Sequence, residues 1–200
     1  MKKKIRIFII FIIMAALVVG YYIYLSNRDT DSEKTKKTDA NTQELEQLLS
    51  KKIDANYPDT PREVVNMYCR IMKAYYRTKL TDSQIEKLGS QAWLLFGEDL
   101  KSANYSLESF QTELKKDIKE WNDKGRYVSD YKVESNSDID YVTYGGGIQA
   151  AIVTVVIYVR NGNDLIPVSH DFMLGKDSGG KWKILSWRES KTSQEAVNEN

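Results

Sequence analysis

His170 and Asp171 stand side by side, and His170 is the only histidine among 200 residues. An acid and a base in one cavity suit proton transfer. On a strand, however, neighbours point to opposite faces, so His170 falls on the side of Val168 and Phe172, and Asp171 on the other, unless a bulge intervenes. With no second acid or base placed beside it by spacing, His170 reads as a structural or surface histidine. Cys69 is the sole cysteine. It has no partner for an intramolecular disulfide and no Cys/His cluster around it for zinc, so it reads as a buried, inert thiol. Asp138 and Asp140 lack the alternating acidic loop of a calcium site. Gly145-Gly146-Gly147 has neither the strand and helix nor the downstream Lys-Ser/Thr of a phosphate loop, and reads as a hairpin loop. Asn104-Tyr105-Ser106 fits a glycosylation acceptor, which matters only in a eukaryotic secretory setting. Trp182 and Trp187, among a chain rich in tyrosine, are candidates for stacking on sugars or peptides, but aromatics at regular spacing more simply fill a core. Lying an odd number of positions apart, they fall on opposite faces of a strand without a bulge. The sequence therefore predicts no catalytic, cofactor-binding or metal-binding residue set, no cofactor, and a protein that is not an enzyme.

The elements that position these residues follow from periodicity. Thr60-Pro61-Arg62-Glu63 carries an N-cap, a first-turn proline and a capping-box glutamate, and starts a helix whose apolar stripe runs through Val64, Val65, Tyr68, Ile71, Met72 and Tyr75. Thr81 with Gln84 starts a second, with Ile85, Leu88, Ala92, Leu95 and Phe96. A third spans about Ser106 to Lys124, with Leu107, Phe110, Leu114, Ile118 and Trp121 inward and Gly125 as its stop. After Gly125 the period becomes two, predicting strands at Tyr127–Ser135, Ile139–Tyr144, Gln149–Arg160, Ile166–Gly175 and Lys181–Arg188. Asn161-Gly162 suggests a type I′ hairpin turn, and sequential hairpins suggest a meander. Gln149–Arg160 is apolar on both faces and should be a central strand, covered by helices on one side. Three helices followed by a curved antiparallel sheet make an α+β domain.

Before this body, Lys2, Lys3, Lys4 and Arg6 precede an apolar or aromatic run from Ile7 to Leu25. A helix of that length, at about 1.5 Å per residue, spans a hydrocarbon core of about 30 Å. The basic cluster puts its start in the cytoplasm, and Tyr21, Tyr22 and Tyr24 suit the far interface. A cleaved signal peptide is the competing reading, but its apolar region is shorter and ends in a small-residue site that Ala15-Ala16 reaches too early. Asn27 to Asn41 is polar and reads as a flexible tether, followed by Leu45, Leu48, Leu49 and Ile53 at helical spacing. The expected organisation is 1–26, a basic stub and transmembrane helix; 27–56, a polar linker with a short amphipathic helix; 57–190, the α+β domain; and 191–200, a polar tail. The formal net charge of +1 becomes about −3 once the four N-terminal cations are set aside, which excludes a polybasic grip on nucleic acid.

The terminal hairpin, Phe172-Met173-Leu174-Gly175-Lys176 and then Gly180-Lys181-Trp182-Lys183-Ile184-Leu185-Ser186-Trp187, resembles the nuclear-transport-factor-2-like (cystatin-like cone) superfamily. The segment Tyr57 to Tyr68, the pair Tyr75-Tyr76, Gln91-Ala92 and the Gly-Lys-Trp-Lys-Ile-Leu-x-Trp ending are similar to a family of single-pass proteins from Gram-positive anaerobes, domain of unknown function 6715. That resemblance implies an anchor followed by a cone-shaped domain and supplies no activity. The position of the parts gives the functional expectation: a non-catalytic, membrane-anchored module outside the cytoplasm that binds an envelope protein or a small ligand. Its partners would be the lipid bilayer through the N-terminal helix and, through the sheet face, a second copy. Two rivals are an assembly subunit of a secretion or conjugation machine, and a small-molecule isomerase or dehydratase with its site inside the cone.

Overall fold

A computed structural model describes residues 41–144 and 148–190. The transmembrane helix expected over 1–26, the polar tether as far as residue 40, the Gly145–Gly147 loop and the 191–200 tail lie outside the described residues. Among the described residues, no helix is long and apolar enough to cross a membrane. The chain divides into two compact units, Met1–Glu46 and Gln47–Asn200. The described part of the first, residues 41–46, is helical, and the second begins within the same helix, α1 (residues 41–50).

Helix α2 (Pro61–Tyr75) begins with the reciprocal cap that its sequence specifies: Thr60 Oγ1 accepts from the Glu63 amide, and the Glu63 carboxylate accepts from the Thr60 amide. Thr81 and Gln84 repeat the arrangement at α3 (Asp82–Leu95). The Gln91 amide, buried on α3, donates to the carbonyls of Leu48 and Lys51, both at 2.8 Å, and so ties residues 48–51 to α3. Helix α5 (Leu107–Asp123) starts at a Ser106 cap and stops before Gly125, whose φ of 63° closes the helix end. Among the described residues five helices are present where three and a short amphipathic piece were expected, the addition being α4 (Glu98–Ala103). None of its residues is buried, so no apolar stripe announces it.

The strands are β1 (Arg126–Val133), β2 (Asp140–Tyr144), β3 (Ile148–Asn161), β4 (Asp164–Lys176) and β5 (Trp182–Glu189). They form one open antiparallel sheet, ordered β1-β3-β4-β5, with β2 also paired to β3. The expected meander is corrected here. Strand β1 does not pair with β2; the two lie end to end along one edge of β3, β1 against Val155 to Asn161 and β2 against Ile148 to Ile152. A long central strand has room for both, and Glu134 bridges the gap. Its amide donates to the Thr154 carbonyl at 3.0 Å, while its carboxylate accepts from the Thr154 amide at 2.6 Å, standing in for a missing peptide carbonyl.

One turn and one strand register also differ from expectation. Asn161 pairs with Asp164, so the β3–β4 loop is Gly162-Asn163, one residue later than the Asn161-Gly162 dipeptide suggested. Only Gly162 has a positive φ, 60°, which is the first-position glycine of a type II′ turn; type I′ needs two such residues. On β5, the register slips between Met173 and Leu174, leaving a bulge at Leu185.

The helices cover one face of the sheet. On that inner face Val153, Val155, Phe172, Leu174 and Ile184 are fully buried, together with Val64, Leu88, Leu95 and Phe96 from the helices. The alternate residues Ile152, Val156 and Tyr158 of β3 are half-buried on the outer face, as the two-sided apolar pattern of this strand predicted.

Candidate functional site

The helices and the inner sheet face do not close completely. Between them lies a cavity of about 410 Å³. Helix α2 and its C-cap present Tyr68, Met72 and Tyr76 to it, spaced four residues apart and therefore on one face. Helix α5 presents Asp117 and Trp121, again four apart. Alternation on β4 turns Val168, His170 and Phe172 inward together, facing Ile157 and Val155 across the β3 register. Val128 of β1, Val159 of β3 and Trp187 of β5 complete the wall.

The bulge at Leu185 decides the orientation of Trp187. Without it Trp182 and Trp187 would take opposite faces; with it both stand on the inner face, opposite Lys176 and Phe172. The Trp187 ring stacks on Phe172 with centroids 5.9 Å apart and meets Tyr68 at 5.5 Å. Trp182 is buried elsewhere, its carbonyl accepting from the Tyr57 hydroxyl at 2.7 Å.

His170 and Asp171 separate as alternation requires. His170 lines the cavity, and its Nδ1 is buried with no hydrogen-bond partner among the described residues. Asp171 lies on the outer face, where it accepts from Thr154 Oγ1 at 3.1 Å and stands 4.0 Å from Arg188. The fold instead brings His170 into the same cavity as Asp117 and Tyr76. The Tyr76 hydroxyl donates to the Asp117 carboxylate, and burial, reinforced by that bond, pushes the Tyr76 phenol well above the usual tyrosine range. Spacing alone could not find this set, because it joins two helices and a strand far apart in the chain. The local signals were the four-residue spacings of Tyr68, Met72 and Tyr76 and of Asp117 and Trp121.

A second hollow of about 240 Å³ shares Tyr68, Met72, Tyr76, Asp117 and Trp187 with the first and extends toward Phe110 and Leu114. Tyr75 lines it, with a buried hydroxyl that has no partner among the described residues. A polar depression of about 470 Å³ beside Asp177 and Lys183 is a weaker candidate. There the Lys183 ammonium is engaged, donating to the Leu94 carbonyl at 2.7 Å and lying 3.8 Å from Asp177.

Of the remaining sequence candidates, Asn104 lines the second hollow, and Cys69 and Asp138 line neither hollow. Cys69 is buried on α2, and burial pushes its thiol pKa up, away from thiolate chemistry. Asn104 donates to the Leu100 carbonyl at 2.8 Å in the α4–α5 turn, and exposed Asp138 accepts from Ser135. Among the described residues, no three His, Cys, Asp or Glu side chains are placed to hold a metal ion.

A family model described as Domain of unknown function (DUF6715) matches residues 1–187. The chain belongs to DUF6715. No curated protein matches it. The matched stretch includes every residue that lines the two hollows of this DUF6715 chain, as well as both capping boxes and the bulged strand as far as Trp187.

Proposed function

We propose that this DUF6715 chain is a single-pass membrane protein whose domain outside the cytoplasm, of the nuclear-transport-factor-2-like cone type, binds a small organic ligand in the cavity between α2, α5 and the sheet. One observation carries the reading: a hollow of about 410 Å³ walled by aromatic and aliphatic side chains and holding a few polar groups, Tyr76, Asp117 and His170. Its volume falls in the range of small-molecule sites, and its balance of apolar wall and sparse polar anchors is theirs as well. The apolar run from Ile7 to Leu25 after a basic cluster supports the anchor and its orientation, with the N-terminus in the cytoplasm. The half-buried outer sheet face is the surface a second copy would use.

The test is extraction. The full-length protein and a V168F variant, whose ring would fill the hollow, are purified in the same nonionic detergent, and their small-molecule contents are compared by mass spectrometry. A compound retained by the wild type and missing from V168F is the expected result. Indistinguishable extracts from two folded proteins contradict the reading.

A second reading, turnover of the ligand, is favoured by the buried, unpartnered His170 Nδ1 beside the cavity. It makes His170 the proton carrier of an isomerase or dehydratase. Once the extracted compound is known, loss of its conversion in H170A with retention of binding supports turnover, and release of the compound unchanged by the wild type excludes it.

A further inference from the structure

We propose that the cavity takes an organic cation, a quaternary or protonated amine with apolar flanks, held by aromatic ring faces and by Asp117. The proposal rests on the ligand-binding reading above and adds the charge of the ligand.

Among the described residues, the wall contains one carboxylate, Asp117, and neither lysine nor arginine. The hydrogen-bond partner of Asp117 is a neutral phenol, Tyr76, so the bond leaves the negative charge in place. Cations nearby in sequence are committed elsewhere. Lys73 is paired with Asp130 at 2.8 Å, and Arg77 donates to the Ser129 carbonyl at 2.6 Å, both toward β1. One turn before Asp117, Glu113 is paired with Lys116 at 2.6 Å.

Around Asp117 the surfaces are aromatic. Tyr76 and Trp121 approach to 4.6 Å between centroids, and Tyr68 meets Trp187 at 5.5 Å. Ring faces carry the negative end of the aromatic quadrupole, so a cation among them is attracted, and more strongly as water is displaced. Donation by Tyr76 to a carboxylate also makes its ring richer in electrons, which strengthens that face. An anion would meet both the quadrupoles and Asp117 unfavourably, while a neutral ligand of the same shape would gain from apolar contact alone. His170 Nδ1 offers a polar substituent of the ligand a partner it otherwise lacks.

The probes are choline and its uncharged isostere, in which carbon replaces the quaternary nitrogen. Both are titrated calorimetrically into the full-length protein in nonionic detergent, with tryptophan fluorescence as a second readout. Choline should bind about tenfold or more tightly than the isostere. D117N, whose amide oxygen can still accept from Tyr76, should abolish most of that preference, while D123N, on the same helix but paired with Lys119, should keep it. Equal affinity for the two probes overturns the cation assignment, as does a preference that survives D117N. If neither probe binds but V168F still loses an extracted neutral or anionic compound, the assignment of charge is wrong and the cavity reading stands. If neither probe binds and the extracts are identical, both fall.

Discussion

The Tyr76 hydroxyl, just after α2, donates to the Asp117 carboxylate on α5, across a separation of 41 residues. The carboxylate is solvent-exposed, and the contact lies at the rim of the cavity. Because the carboxylate remains open to water, Y76F should destabilise the protein by about 0.5–1.5 kcal/mol, the usual net range for a hydrogen bond. D117N, which keeps an acceptor, should cost less. Denaturant midpoints of the two variants measure the difference, and a Y76F protein as stable as the wild type would show that water replaces the bond at no cost.

Alkaline pH should unfold this protein earlier than its charge alone suggests. Burial raises the pKa of Tyr57, Tyr68, Tyr75 and Tyr76, with the charge of Asp177 adding to the first and the hydrogen bond to Asp117 to the last. The folded state then holds these protons more tightly than the unfolded chain, whose tyrosines ionise near pH 10. Their contribution is complete below about pH 9 and declines as the pH rises past about 10. Stability followed by circular dichroism should turn down in that window, and an unchanged midpoint at about pH 11 contradicts the linkage.

Cys69 should be invisible to reagents until the protein opens. Its side chain is fully buried and its thiol pKa is raised by that burial, so both access and thiolate fraction are low. A chromogenic disulfide reagent should label it at least about a hundredfold more slowly in native protein than in denaturant. Rapid native labelling would mean that α2 opens locally.

Leu185, the bulged residue of β5, is lodged between two glycines. A Cβ at Gly97 would stand 2.7 Å from Leu185 Cδ2, and one at Gly175 would stand 2.9 Å from Cδ1. G97A should cost about 1–3 kcal/mol by overpacking. Because the obstacle is one side chain, L185A should remove most of that cost, giving a double-mutant coupling that thermal unfolding can measure. Additive effects would place the strain in the backbone.

How far the sequence could be read depended on the range of each signal. Thr60 with Glu63, Thr81 with Gln84, and Gly125 declare their helix ends within three or four residues, and each end stands where the local chemistry puts it. Alternation along β4 separated His170 from Asp171 correctly, since facing is a property of the strand alone. What escaped is non-local. The choice of β3 as the partner of β1 depends on a contact between Tyr127 and Arg160, and chain order favours the nearer β2. The Leu185 bulge, which brings Trp187 into the cavity wall, has no residue signature of its own because the space it needs is provided by Gly175 on the neighbouring strand and by Gly97, far away in the chain. Asp117 on an exposed helix face looks like any surface acid until α2 brings Tyr76 against it.

The division of one edge of β3 between β1 and β2 has a consequence for assembly in time. As the chain leaves the ribosome, β1 emerges with no strand to pair with, because Arg160, opposite Tyr127, is still to be made. Until then its available anchor is α2, through the Val128 amide and the Tyr76 carbonyl at 3.1 Å. Strand β3 therefore acts as the template for two earlier segments, and the pairing with β1 carries the larger loop-closure cost because β2 lies between them in the chain.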